Sequence, residues 1–154
     1  MSLESAAEVV VLENVFLVFV VLLVIACGGF YVLGRQSQQG SAPGLIDGQL
    51  APCPASPNCV SSETGTVETK KVAPLSVDAW SQLPQVLVEM GGVITAQEET
   101  YLACEFSSRT FKFVDDVEFR RDADTVHVRS ASRVGYSDRG VNRARVDDLC
   151  ARLS

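Results

Sequence analysis

Residues 111–119 read FKFVDDVEF, and the phase of this stretch decides how the chain folds. Phe111, Phe113, Val117 and Phe119 fall on one side of a two-residue repeat and Lys112, Asp116 and Glu118 on the other, the alternation of a half-buried strand. Asp115 is the exception. The same phase sets it among the phenylalanines, where a carboxylate must be paired or hydrogen-bonded. Its expected partners are Arg129 or Arg133 on the following strand. A buried pair that fixes strand register and an acid/base group with a shifted pKa are both open readings.

The flanking segments extend the pattern. In residues 100–106, Leu102, Cys104 and Phe106 alternate with Tyr101, Ala103 and Glu105; in TVHVRSASRV, Val126 and Val128 oppose His127, Arg129 and Arg133. Short polar loops between these stretches predict an antiparallel meander. Upstream, residues 64–74 (TGTVETKKVAP) read as a first strand ended by Pro74. Ser76 and Asp78 can start a helix that carries Trp80, Leu83, Leu87 and Met90 on one stripe. Pro84 predicts a kink or a late start, and Gly91-Gly92 a stop. Val146, Leu149, Cys150 and Leu153 repeat at helical spacing near the C-terminus, with Asp138 or Asn142 as cap. The expected fold class is α+β, a small antiparallel sheet of about four strands with two helices packed on one face, preceded by a single N-terminal transmembrane helix.

That helix is the run VFLVFVVLLVIACGGFYVL, from Val15 to Leu33, nineteen residues without a charge. As a helix it is about 28 Å long, against a hydrocarbon core of roughly 30 Å. The chain then divides into a tail (1–14), a transmembrane anchor (15–34), a flexible linker rich in Gly, Ser and Gln (35–50) and an α+β domain (51–154). A cleaved signal with a lipidated Cys27 is the alternative. Against it, residues 1–14 carry Glu4, Glu8 and Glu13 and no Lys or Arg, whereas a signal peptide opens with positive charge. Either way the domain is tethered to a membrane.

Topology rests on two opposed signals. Arg35, on the domain side of the span, argues for a cytoplasmic domain. Cys53 and Cys59, in the turn-forming CPASPNC, argue for a disulfide and hence an oxidising compartment. The cysteine pair outweighs one charge, which places the domain on the periplasmic or lumenal side; a reduced pair is the competing reading.

The 154-residue chain has a net charge of −6, which gives little attraction for nucleic acid. Residues 72–108 hold five acids and no base, and residues 125–154 six arginines against three aspartates, so the domain has an acidic and a basic end. His127 is the only histidine, and no GxSxG elbow, phosphate loop or CxxC pair is present, so no catalytic residue, metal or cofactor is assigned. Asp115, Asp116 and Glu118 as hard-metal ligands is a weak idea, because adjacent strand residues face opposite ways. Lys112 and Arg120 suggest an ordinary solvated ladder instead. Arg129, Arg133, Arg143 and Arg145, with Asp115, Asp116 and Asn142, form the candidate binding set. Guanidinium groups suit an anionic ligand, a lipid headgroup or an acidic partner surface, or else an internal salt-bridge network.

The ordered motifs PCPASPNCVSS, FKFVDDVEFR and HVRSASRVGYSDRGVNRARV resemble the uncharacterised bacterial and plastid family known as domain of unknown function 1499, over about residues 50–153. The resemblance implies no reaction; it marks where a site would lie without naming its chemistry. The expected function is a membrane-tethered extracytoplasmic binding or accessory module, such as a subunit of a membrane protein complex, with a protein partner or an anionic ligand. The alternatives are an enzyme using Asp115 or Asp116 as acid/base with arginines holding an anionic substrate, and a purely structural anchor.

Overall fold

A computed structural model describes residues 3–153 of the chain, with side chains from residue 11. The apolar run lies within a single helix, α1 (Leu3–Ser37). Its stretch Val11–Ser37 has the length and apolarity to cross a membrane, with a mean hydropathy of 2.9 over its 18-residue apolar window. Of the tail expected over residues 1–14, residues 1 and 2 lie outside the described part and the rest continues α1.

Of residues 35–50, expected as a flexible linker, 35–37 complete α1 and the rest lies against the sheet. After α1 ends, a small hairpin forms from β1 (Leu45–Ile46) and β2 (Gln49–Leu50), turning through Asp47 and Gly48 at φ 51° and 76°. Glycine takes that conformation without strain. Leu50, at its end, is buried against Tyr101 and Ala103.

The domain sheet has six strands rather than about four. They are β3 (Cys59–Ser61), β4 (Leu75–Ser76), β5 (Val93–Gln97), β6 (Tyr101–Ser107), β7 (Val114–Arg121) and β8 (Thr125–Ser132). The order is β3-β8-β7-β6-β5, with β4 also pairing β8, and every strand pair is antiparallel. The meander β6-β7-β8 is the part that alternation predicts. The strand expected at 64–74 is instead a 3-10 turn at Glu68–Lys70, where the Lys70 ammonium donates to the carbonyls of Pro54, Ala55 and Ser56 in the cysteine loop.

Two helices cover one face, α2 (Leu83–Glu89) and α3 (Val141–Arg152). The Ser76 hydroxyl accepts the Asp78 N–H, starting a 3-10 turn at Val77–Ser81; Pro84 then sits in the first turn of α2, which is the late start. Gly91 ends α2 at φ 88°. The Asp138 carboxylate accepts the N–H groups of Gly140 and Asn142 at the start of α3. Leu83, Leu87, Val146 and Leu149 from these helices enclose Leu102, Cys104, Val117, Phe119, Val126 and Val128 from the sheet.

Candidate functional site

The alternation that sends Val117 and Phe119 into the core sends Asp116, Glu118 and Arg120 to the opposite face, beside Arg129 and His127 of β8. That face carries three charged groupings. Arg133 forks onto Asp116, with Nε to Oδ2 at 2.8 Å and a second bond at 2.6 Å, and also reaches Glu105. Arg129 bonds Glu118 at 2.8 Å, and the Tyr101 hydroxyl donates to the other oxygen of Glu118 at 2.8 Å. Arg120 forks onto Glu63 at 2.8 and 3.1 Å, with His127 Nδ1 3.8 Å from the same carboxylate.

This face is buried, not a solvated ladder. Glu118 is 0 % exposed and Asp116 3 %. The cover is the very segment expected as linker: the Gly44 N–H donates to Glu118 at 2.8 Å and the Leu50 N–H to Glu63 at 3.1 Å. Charges removed from water in this way hold only while each keeps its partner; deleting one member of such a pair costs about 3–5 kcal/mol. Among the described residues, Arg129 Nε is the one buried side-chain donor without a hydrogen-bond acceptor.

The same face receives the end of α1. Ser37 is fully buried; its hydroxyl accepts the Val114 N–H at 2.7 Å and donates to the Val114 carbonyl at 3.3 Å. Arg133 donates to the Ser37 carbonyl at 3.2 Å, so a cation meets the negative end of the helix dipole. Gly34 lies so close to the β6–β7 loop that a Cβ there would come within 1.9 Å of the Phe111 carbonyl oxygen. One turn earlier, Phe30 packs on Phe111 and Phe113 with ring centres 5.3 and 6.4 Å apart. Phe111 and Phe113 therefore face the anchor instead of sharing the core face with Val117, because β7 begins only at Val114.

On the helix side a polar cluster joins α3 to the sheet. Asp115 pairs with Arg145 at 2.6 Å, not with Arg129 or Arg133. Those two lie on the other face, whereas α3 brings Arg145 over this one. Arg145 also donates to Asn142 and Ser130 at 2.7 and 3.0 Å and stacks over Phe106 at 4.7 Å. Asn142 is fully buried as the second residue of α3, whose N-cap position is Gly140, and the carboxylate that accepts the free N–H groups there is that of Asp138. The Asn142 side chain turns inward. Its amide donates to the Asn58 carbonyl at 3.0 Å and the Ser132 hydroxyl at 3.1 Å, while its oxygen accepts from Ser130 at 2.6 Å. Asn58 stands next to the disulfide Cys53–Cys59, which closes the loop before β3.

Of the seven candidate binding residues, Arg129, Arg133, Arg145, Asp115, Asp116 and Asn142 are thus engaged with other parts of the chain. Arg143 donates to the carbonyls of Lys71 and Thr69 near the surface. Asp116 is buried beneath Arg133, which also holds the Ser37 carbonyl at the end of α1. Asp115 borders an open cleft of about 420 Å³ beside α1. Ser37, Glu63, Tyr101 and the Phe30 cluster were not singled out for these roles from sequence. An FxF motif with Lys112 at its centre and Arg109 just before it, in a membrane-tethered chain, is the signal that could have marked the last of these.

Electrostatics follow the partners. Burial pushes the Glu63 carboxyl up, but Arg120, the Leu50 N–H and the charges of His127 and Arg120 outweigh it, and the net pKa is lowered. Burial and the adjacent Glu118 charge raise the Tyr101 phenol, which stays a neutral donor. The Cys104 thiol is pushed up to about 12 by burial in the core. Among the described residues no group of three or more His, Cys, Asp or Glu is placed to hold a metal.

The family described as "Protein of unknown function (DUF1499)" matches residues 49–153. No curated protein and no solved structure matches the chain.

Proposed function

We propose, starting from the fact that the chain belongs to the DUF1499 family, that it is a membrane-anchored accessory module holding a binding surface at a fixed height above the bilayer. The observation that carries this reading is Ser37, the last residue of α1, buried in the domain with its hydroxyl on the backbone of Val114 and its carbonyl on Arg133. A tether meant only to retain a domain needs no such joint. Arg129, Arg133 and Arg145 brace the surface from within, and the basic edge formed by the exposed Arg139 and the half-buried Arg143 is what remains to meet an anionic ligand or an acidic partner. The disulfide supports the periplasmic or lumenal side, since such a bond persists in an oxidising compartment.

Two measurements test the reading. Full-length protein solubilised in mild detergent is expected to retain a protein partner in fixed ratio, and Arg143→Glu to weaken that retention; wild type and variant both running alone would contradict the accessory role. In sealed membrane vesicles with the periplasmic or lumenal face outward, reduction followed by a membrane-impermeant thiol reagent should label the Cys53–Cys59 pair. Labelling only after the vesicles are opened would move the domain to the other side.

A further inference from the structure

The cleft beside α1 is bounded on one side by Phe30 and Leu33 of the anchor and on the other by Phe113, Val134, Tyr136 and Val141 of the domain. Tyr136 is 78 % exposed and Val141 50 %. Phe30 precedes Ser37 by seven residues, about 10 Å along a helix rising 1.5 Å per residue. The domain therefore reaches down its own anchor to the level of the apolar run, past Arg35, the first charge beyond it. A wall made of the membrane-crossing helix opens onto the boundary between headgroups and acyl chains, where aromatic residues concentrate.

One cation, Arg139, lines the cleft, and two more stand next to its lining in the chain: Arg109 follows Ser108 and Lys112 precedes Phe113 on the β6–β7 loop. None of the three belongs to an ion pair among the described residues. The two carboxylates at the cleft are already engaged, Asp115 by Arg145 and Asp138 by the N–H groups that start α3. An apolar wall shared with the membrane-crossing helix, and cations at and beside the opposite polar side of the cleft, match the two halves of one molecule. We infer that this cleft takes an anionic phospholipid of the surrounding membrane, with an acyl chain between α1 and Val141 and the headgroup phosphate on Arg139, Arg109 and Lys112. This deepens the accessory-module reading and rests on it: the bound lipid completes the joint between anchor and domain.

Native mass spectrometry of the full-length protein in detergent, titrated with phosphatidylglycerol or phosphatidylcholine, reads the site directly. Wild type should hold one phosphatidylglycerol in preference to phosphatidylcholine. Arg139→Glu, and separately the double variant Arg109→Glu/Lys112→Glu, should each weaken it about fivefold or more per reversed cation. Soluble glycerol phosphate, which lacks acyl chains, should bind far more weakly than the lipid. Equal binding of the two lipids, or unchanged phosphatidylglycerol binding in both variants, overturns the inference; so does a protein partner that occupies the cleft and excludes lipid. Retention of a partner without lipid preference would sink this inference alone, whereas a chain recovered outside the membrane fraction would sink the accessory reading as well.

Discussion

Glu63 ties together parts of the chain that are far apart in sequence. It receives Arg120 from β7 and the Leu50 N–H from the hairpin, with His127 of β8 alongside. Its pKa in the fold is lowered below the ordinary 4.5. The unfolded chain therefore binds the proton more readily, so the stabilisation is present above pH 4.5 and is lost as pH falls through the folded value. Asp138, lowered below 3.8 by the N–H groups it caps against the opposing effect of burial, adds to the same trend further down. Stability measured by urea unfolding should fall below about pH 4.5, and Glu63→Gln should flatten that slope; an unchanged slope in the variant would assign the effect elsewhere. Asn142 has no charge to titrate, but its amide serves Asn58, Ser130, Ser132 and Arg145 at once. Asn142→Ala leaves several buried groups unpaired and should cost about 3 kcal/mol in the same assay. A loss under about 0.5 kcal/mol, the range of a surface substitution, would mean that the cluster is not structural.

At the scale of elements, the contact between α1 and the β6–β7 loop makes an unusual prediction about Gly34. In a free helix, glycine to alanine is favourable by about 1 kcal/mol. Here the added methyl group would meet the Phe111 carbonyl, so Gly34→Ala should instead loosen the joint, with overpacking costing about 1–3 kcal/mol. Trypsin cleavage at Arg109 and Lys112 should accelerate in the variant while α3 stays resistant, and unchanged cleavage would show that the loop is held by something else. The meander was legible in the sequence because alternation in residues 100–132 is set by local burial, and the stop of α2 because Gly91 needs a positive φ. Strands β3 and β5 were not, being a three-residue strand beside a disulfide and a strand whose residues are half to fully exposed. The partner of Asp115 was missed for a related reason. Strand phase says which face a side chain takes, but not that a helix separated from β8 by eight residues will lay Arg145 over it. The charged face read as solvated because its cover, residues 38–50, holds on through backbone N–H groups that every sequence possesses.

At the scale of the whole molecule, a hydrophobic helix, a sheet with one apolar and one charged face, and two covering helices form one continuous body. The charged face is the joint: its arginines and carboxylates neutralise one another beneath the end of α1 and the hairpin, and Ser37 makes the junction backbone-specific. The central claim is that anchor and domain move as one unit. The Val114 amide reports on this most directly, since its acceptor is the Ser37 hydroxyl at 2.7 Å. Hydrogen exchange of the full-length protein in lipid nanodiscs should find that amide protected to the same degree as neighbouring amides of β7, and selectively released by Ser37→Ala. A Val114 amide that exchanges in wild type at the rate of an open loop would contradict the account, and would return the segment after α1 to a mere tether.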